Sequence, residues 1–435
     1  KVGMIAVAAA LARAGLGGTL AFTLFVGYQF SGVAMTIDGP HMAWWLLACW
    51  AAFRAFYAWH VGRSGMAAWL ALGAAIGIGM LFKYTIAILL PGVIVFALIA
   101  RRSLTFHLKP VLASLLVMLL FLSPIVIWNA NNDWVTVKHL IGRMGLPGGD
   151  EKITKSNAAS FGLTWFIRML GDQLALLNIT VVVFILAMRR GRSSQATSVA
   201  PSKRSFPAFT LMVFLALPII LMYTSISFIS KVQANWPLPG YATLLVMMAA
   251  ALGTVADRRS ALAGWWRAWV VLGLVVFAGS LMSGLVVASE PIRKAIPPLD
   301  RAIVRLSVAP KVVAAVQPAI EDARKDTGQE PIIVAHHYMD AARLAFYLPG
   351  RPSVMSAASF VGGRKSSYDY FKDTDLRNKA LLGRPAVLYG GNAELWDRTF
   401  KFDRVEQPRP DVPAYIGWNY QGPRADEPKP KEAVQ

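Results

Sequence analysis

Long apolar runs alternate with short polar segments along the first two thirds of the chain. A helix needs roughly 20 apolar residues to cross a bilayer core of ~30 Å. The pattern therefore predicts an α-helical polytopic membrane protein with about nine transmembrane helices. We predict spans at 14–34, 41–59, 67–82, 84–100, 110–128, 172–189, 207–223, 237–256 and 268–289. The shorter run at 2–12 is expected to be the end of a helix that begins before this sequence.

The pattern changes after residue 289 to that of a small α/β domain. Residues 331–335 and 385–389 are predicted to be buried strands, and the apolar spacing of Met339, Ala342, Leu344 and Phe346 predicts a helix. We expect a helix bundle over 1–289, an α/β domain over 290–420 and a disordered tail over 421–435, which is rich in Pro, Lys and Glu.

Charge gives the bundle an orientation. The net charge is +20, and residues 1–289 hold 22 Lys and Arg against 6 Asp and Glu. Short basic loops around Arg63, Arg101 and Lys203 are expected to face the cytoplasm, which places the C-terminal domain in the periplasm of a bacterial inner membrane. Some of these cations could instead hold a lipid phosphate. They form no continuous stripe for nucleic acid, and the single Cys49 excludes a disulfide.

Three segments outside the regular spans have predicted roles. The outer loop 129–162 is long enough for a lid or a substrate loop, and 191–205 is expected to be a flexible connector. Gly73 and Gly77 form a GxxxG pattern inside a span, which predicts close helix packing.

Asp38 is the first candidate for chemistry, because a lone carboxylate at the mouth of a helix bundle is costly to place. The alternative is an N-cap for the helix that opens near Pro40. His41, one turn further, could cap, bind a phosphate or join Asp38 at a divalent metal. Lys83, followed by Tyr84, is either a phosphate ligand or a lysine that snorkels to the interface.

Other polar residues at predicted outer ends form a second group. Lys231 lies in a short loop with Asn235 that could hold a phosphate headgroup. Asn129, Asp133 and Trp134, with Trp128, combine an amide, a carboxylate and indoles that could stack on a sugar. In the soluble domain Arg364 and Tyr368 belong to a polar and aromatic cluster, for which an exposed loop is the alternative. No Walker loop or GxGxxG motif is visible.

Several short motifs, in order along the chain, resemble a known family. They are Ile37-Asp38-Gly39-Pro40, the segment from Gly77 to Thr85, Trp128-Asn129 with Trp134, the segment 231–237, and 345–350 with 364–369. Together they resemble the GT-C glycosyltransferases that use polyprenyl-phosphate sugars. The best match is the family-39-like branch of aminoarabinose lipid A transferases and protein mannosyltransferases.

This resemblance implies that a sugar moves from a polyprenyl phosphate to a lipid or glycan hydroxyl at the periplasmic face. Asp38 is then the catalytic residue, and Lys83 and Lys231 contact the donor phosphate. The other substrate-binding residues implied are His41, Tyr84, Asn129, Asp133, Trp134, Asn235, Arg364 and Tyr368. The family's principal acidic residue lies in a first outer loop that would precede this sequence, so an N-terminally truncated chain would be inactive. Asp133 replaces the family's usual His before Trp134.

Two other functions compete with a hexosyl or pentosyl transferase. One is a lipid or glycan transporter, for which broken helices near the middle of the membrane and repeated halves are typical. The other is a non-catalytic membrane protein related to the transferases. The sequence specifies neither the sugar nor the acceptor.

Overall fold

The computed structural model has two compact units, Lys1–Leu285 and Val286–Gln435. The predicted domain boundary at 289/290 lies close to this division and stays a prediction. The structure describes residues 37–143, 148, 162–178, 180–182, 184–186, 206–252, 270–275, 278–279, 289–295, 297, 308–363 and 365–424.

The described part of the first unit is helical. Two short 3-10 helices, Tyr84–Ile88 and Arg101–Ser103, flank its third α-helix. The α-helices are α1 (Asp38–His60), α2 (Met66–Phe82), α3 (Leu89–Ala100), α4 (Leu108–Asn131), α5 (Val135–Arg143), α6 (Leu163–Leu177), α7 (Ala208–Ile226) and α8 (Leu238–Leu252).

Several of these helices are apolar enough to span a membrane. Within the described residues, Tyr84–Ser103, Leu108–Asn131 and Ala208–Ile226 have the necessary length and composition. Leu163–Leu177 with Thr180–Leu186, bent by 77°, would make a fourth, and α2 is a shorter apolar helix. The predicted runs at 14–34 and 268–289 lie wholly or largely outside the described residues, so the number of nine spans stays a prediction.

One predicted span begins in the wrong place. The sequence pattern placed it at 172–189, whereas α6 begins nine residues earlier, at Leu163. Arg168 and Asp172 interrupt the apolar pattern of this helix, and the polar interruption concealed its first half. The predicted connector 191–205 lies outside the described residues, as does half of the outer loop 129–162, within which α5 is described.

Small residues bring the helices of the bundle into backbone contact. A Cβ atom added at Gly73 would lie 2.1 Å from the carbonyl oxygen of Ser114, and one at Gly77 would lie 2.8 Å from that of Met118. These contacts join α2 to α4 and confirm the close packing predicted from the GxxxG pattern. Gly92 does the same for α3 and α7, since its added Cβ would lie 2.0 Å from the Phe214 carbonyl oxygen.

The predicted loop sets meet at opposite ends of the bundle. At one end the His60 ring is 3.1 Å from the Ser103 carbonyl, and the Thr105 amide donates to the Trp59 carbonyl. These residues belong to the loops predicted to be cytoplasmic. At the other end the start of α1 contacts the ends of two loops predicted to face outward. Among the described loops, the two predicted sets therefore lie at opposite ends of α1, while the loops at 189–204 and 258–267 lie outside the described residues.

The second unit is a five-stranded sheet with helices. Its strand order is β2-β1-β3-β5-β4; β1 is parallel to β2 and β3, while β5 is antiparallel to β3 and β4. The elements are α9 (Glu290–Ala295), α10 (Val308–Thr327), β1 (Ile332–Ala335), α11 (Tyr338–Tyr347), β2 (Val354–Ser356), β3 (Ala386–Tyr389), α12 (Ala393–Thr399), β4 (Arg404–Glu406) and β5 (Ala414–Trp418).

The sequence predicted strands β1 and β3 of this sheet but not β2, β4 or β5. The two predicted strands are β1 and β3, and the predicted helix is α11. The predicted disordered tail begins too early, because the Gln421 amide donates to the Lys401 carbonyl and Pro423 forms a β-bridge with Phe400. Backbone pairing therefore orders residues 421–424, while 425–435 lie outside the described residues.

Candidate functional site

Asp38 binds two side chains that are distant in the sequence. Its Oδ1 accepts a hydrogen bond from the Lys83 ammonium at 2.7 Å, and its Oδ2 accepts one from the Asn235 amide at 2.7 Å. The Asp38 and Lys83 side chains are 12% and 17% exposed. The structure therefore joins three predicted site residues in a partly buried, charge-assisted cluster.

Two alternative interpretations of these residues are wrong. Asp38 is not the N-cap, because α1 begins at Asp38 itself, and its N-cap residue Ile37 makes no side-chain cap hydrogen bond. Lys83 does not snorkel outward, since its ammonium turns inward to Asp38. The electrostatic attraction of a shielded carboxylate outweighs local capping and solvation of the amine.

The chain places Lys83 by breaking a helix. Helix α2 ends at Phe82, Lys83 is extended with φ −155°, and a 3-10 helix begins at Tyr84. Gly79 leaves room for the buried Ile86 of this 3-10 helix, because a Cβ atom there would lie 2.4 Å from Cδ1 of Ile86. The ammonium is thus carried by a well-defined turn between two apolar helices.

A second loop places Asn235. The Gln173 amide of α6 donates to the carbonyl of Ala234 at 3.2 Å. Gln173 is 5% exposed, and its Oε1 has no hydrogen-bond partner among the described residues. Trp236 packs against Tyr223 with ring centroids 5.2 Å apart. Buried contacts on both sides of Asn235 therefore hold its amide toward Asp38.

His41 lies one turn below Asp38 and is enclosed. It is 1% exposed, and its Nε2 lies 3.3 Å from the Thr85 hydroxyl. Tyr223 also interacts with Thr85. His41 thus supports the turn that follows Lys83.

The described residues do not make a metal site. No group of three or more His, Cys, Asp or Glu side chains gathers within the described ranges. Asp38 and His41 would supply only two ligands, fewer than protein sites for zinc provide, and Lys83 already binds the carboxylate. The metal suggested from the sequence is therefore not supported by this donor set.

The predicted sugar-binding group around Asn129 has a local structural role. Asn129 is buried, its amide donates to the Ile125 carbonyl at 2.9 Å, and its Oδ1 accepts from the Thr136 amide at 3.2 Å. Asp133 and Trp134 follow with φ 54° each, a left-handed conformation that is rare outside glycine. Both are exposed, and no described contact joins them to Asp38.

Lys231 and Tyr84 flank the cluster in sequence without joining it. Lys231 is exposed and forms no ion pair within the described ranges, although it lies four residues before Asn235. Tyr84 is half-buried at the start of the 3-10 helix. An exposed ammonium without a carboxylate partner at this end remains available for an anion.

The predicted cluster in the second unit is part of the domain's own packing. Tyr368 is half-buried against the sheet, and burial raises the pKa of its phenol. Asp369 bonds to the Ser359 hydroxyl and to the Ser366 backbone amide, closing a capping box. Arg364 lies outside the described residues, so its predicted role is untested.

A cleft of about 690 Å³ opens in the second unit at the amino ends of the parallel strands. Arg324 binds Glu330 at 2.8 Å, which holds the pKa of that carboxyl below its usual range, and Arg384 donates to the Glu330 carbonyl at 2.7 Å. These charged groups satisfy one another. The cleft contains none of the predicted site residues, and the Asp38 cluster belongs to the other unit.

Sequence reasoning missed three residues that support the cluster: Thr85, Tyr223 and Gln173. Each is polar within or beside an apolar run, which is the signal that could have identified them. Thr85 follows the motif residue Tyr84 directly, while Tyr223 and Gln173 stand in otherwise apolar helices.

Comparison with known proteins supports a glycosyltransferase. Residues 4–128 match the model of a family described as dolichyl-phosphate-mannose-protein mannosyltransferase. This is a GT-C family, so the resemblance seen in the sequence motifs is confirmed over that segment, which includes Asp38 and Lys83. No curated protein and no solved structure matches the chain.

Proposed function

We propose that this protein is a membrane glycosyltransferase that moves a sugar from a polyprenyl-phosphate donor to a hydroxyl of an envelope lipid or glycan. The observation that carries the proposal is the contact of Asp38 with Lys83 and Asn235 at one end of a helix bundle. Two of these residues lie within the segment that matches the mannosyltransferase family.

Lys83 is proposed to stabilise the leaving group. In the transfer, the bond between the sugar C1 and the phosphate oxygen breaks, and the acceptor oxygen bonds to C1. The acceptor hydroxyl loses its proton, and the polyprenyl phosphate leaves with an additional negative charge. A preorganised ammonium near this phosphate lowers the barrier. Lys231, exposed at the same loop as Asn235, is proposed to approach the same phosphate.

Asp38 is proposed to position the Lys83 ammonium. Its two oxygens already accept hydrogen bonds, one from the Lys83 ammonium and one from the Asn235 amide, each at 2.7 Å. A carboxylate in reach of the acceptor hydroxyl could also accept its proton. The short bonds favour the positioning role, and the two roles differ in whether loss of the carboxylate changes the donor KM or kcat.

The proposed location is a bacterial inner membrane with the site at the periplasmic face. Arg63, Arg101 and Arg102 are exposed in the loops at the end opposite Asp38. Basic loops of this kind stay in the cytoplasm, which favours a periplasmic location for Asp38 and Lys83. The second unit is proposed to be periplasmic from the nine spans predicted by the sequence. A lipid-linked donor suits this location, because soluble sugar nucleotides are cytoplasmic substrates and no nucleotide motif is present in the sequence.

Reconstituted protein provides the test. The full chain in liposomes is given mannosyl, glucosyl or aminoarabinosyl polyprenyl phosphate, with lipid A and an envelope-lipid extract as acceptors. We expect labelled sugar to move to an acceptor, with stoichiometric release of polyprenyl phosphate, and Asp38→Asn to lower both strongly. Equal transfer by the two proteins would overturn the proposal. Donor movement across the bilayer without sugar transfer would also overturn it and would indicate a transporter.

A further inference from the structure

The sheet of the second unit has a change of winding direction between β1 and β3. From central β1 the chain passes through α11 to β2 on one side, then crosses back to β3 on the other side. Helix α11 packs on the face of Ile333 and Ala335, and the segment after β2 packs on the face of Ile332 and Val334. In open α/β sheets, the carboxyl ends of strands at such a point diverge and commonly bind ligands.

Polar groups gather at this edge on the α11 side. Tyr389, the last residue of β3, lies within electrostatic reach of Asp340 and Arg343. Asp340 and Arg343 form a half-buried ion pair at 2.7 Å. His337 precedes α11, and its Nδ1 accepts from the Met339 amide at 3.2 Å, which leaves Nε2 to carry the proton and donate.

On the opposite side, two glycines leave an imidazole uncovered. Gly390 and Gly391 have φ of 84° and 68°. A Cβ atom at Gly390 would lie 3.1 Å from Cβ of His336, and one at Gly391 would lie 2.8 Å from Cδ2 of Leu395. The His336 ring is half-buried and lies edge-on to the Trp396 ring with centroids 6.4 Å apart, and it forms no hydrogen bond to a described residue.

The neighbouring polar groups are satisfied. The Trp396 indole donates to the Gly390 carbonyl at 2.7 Å, and the Tyr415 hydroxyl donates to the Gly391 carbonyl at 3.3 Å. The carbonyl groups of Gly390 and Gly391 therefore have hydrogen-bond partners within the domain, whereas the His336 ring has none among the described residues.

The combination of groups indicates the class of ligand. Arg343, His337 and Tyr389 offer donors, while Asp340 and Tyr389 offer acceptors. The Asp340 carboxylate would repel an anionic ligand. Sugar hydroxyls, in contrast, both donate and accept hydrogen bonds, so they match a site that offers donors and acceptors together. We propose that the carboxyl edge of β1 and β3 is a saccharide-binding site, formed by His336, His337, Asp340, Arg343 and Tyr389. This site is separate from the Asp38 cluster and does not depend on the proposed transfer reaction.

Saturation-transfer NMR on the full chain in lipid nanodiscs tests this site. The probes are methyl α-mannoside, methyl β-glucoside and arabinose, with inorganic phosphate followed by ³¹P line width. We expect transfer to at least one saccharide, reduced fivefold or more in Tyr389→Phe and in Arg343→Gln. The matched control Tyr347→Phe, at the exposed far end of α11, should keep the signal.

Further variants separate this site from the other candidates. Lys83→Met should keep the saccharide signal, even if the transferase proposal fails. Arg324→Gln alters the cleft at the opposite edge and should also keep it. The proposal is overturned if Arg324→Gln loses the saccharide NMR signal while Tyr389→Phe keeps it. It is also overturned if only phosphate binds, or if no saccharide gives a saturation-transfer signal.

Discussion

The Lys83 ammonium lies 2.7 Å from Oδ1 of Asp38, although 45 positions separate the two residues and Lys83 lies in the turn after α2 while Asp38 begins α1. Neither charge is exposed enough for water to screen it fully. The pair therefore holds a cation at this end of the bundle. An anionic group of a lipid could replace the Asp38 carboxylate at this ammonium or bind the ammonium beside it.

Removal of the Lys83 charge should weaken use of the donor. Lys83→Met keeps the length of the side chain but removes the ammonium, so we expect kcat/KM for the donor to fall by about 10²–10³-fold. The KM of the acceptor should change little. Steady-state kinetics with varied donor measure this effect. Lys109→Met is the matched control, because Lys109 is exposed at the start of α4; equal losses in both variants would contradict the assignment.

Asp38→Asn should lower transfer by about 10²–10³-fold while membrane insertion is retained. The substitution keeps the shape of the side chain but leaves Lys83 without its charged partner. Transfer and membrane-fraction yield are measured together, and full activity would remove Asp38 from the site.

Donor kinetics of Asp38→Asn separate the two roles of Asp38. A positioning role predicts a higher KM for the donor, because the Lys83 ammonium loses the carboxylate that holds it. A proton-accepting role predicts a lower kcat with the donor KM unchanged.

Asn235→Asp should make the rate of sugar transfer depend on low pH. The Asn235 amide donates to Asp38 Oδ2 at 2.7 Å, and a carboxylate there would repel Asp38. Only a protonated carboxyl can donate at that position, so activity should be low at neutral pH and partly recovered at lower pH. A pH profile of transfer measures this, with the exposed Asn131→Asp as the control. A variant with the unchanged wild-type profile would show that the Asn235 bond is unimportant.

Gly73→Ala should destabilise the bundle by about 1–3 kcal/mol, because the added methyl group overlaps the Ser114 carbonyl oxygen and must separate α2 from α4. Thermal unfolding of the purified chain, followed by tryptophan fluorescence, gives the shift. Gly171→Ala is the control, since an added Cβ there meets nothing within 4 Å. Its melting temperature should stay level or rise, as alanine favours helix. Equal melting temperatures for Gly73→Ala and wild type would contradict the packing.

The sequence predicted much of the bundle and the members of the cluster, but not their contacts. Asp38, Lys83 and Asn235 were selected by their polar character at predicted outer ends and by short motifs. The contact between Asp38 and Asn235 spans 197 positions, and no local pattern specifies such a pairing. The capping alternative for Asp38 was reasonable locally, but tertiary electrostatics decided the outcome.

Local structure limits what the sequence can show. Asn129 stays a predicted binding residue, and in the structure its amide closes its own turn, because the same amide chemistry serves both purposes. In the second unit, β2 and β4 have only three residues each, which is too short for an alternating pattern to be visible. The buried runs of β1 and β3 were long and apolar enough to recognise.

The central claim is that the Lys83 end of the bundle holds the phosphate of a lipid-linked sugar. A polyprenyl phosphate with a diazirine close to its phosphate, cross-linked to the full chain in liposomes and mapped by mass spectrometry, tests it most directly. We predict adducts on the peptides that contain residues 83–88 and 231–237, lost in Lys83→Met and competed by unlabelled polyprenyl phosphate. Adducts confined to lipid-exposed positions of α4, such as Leu116 and Leu120, would contradict the claim.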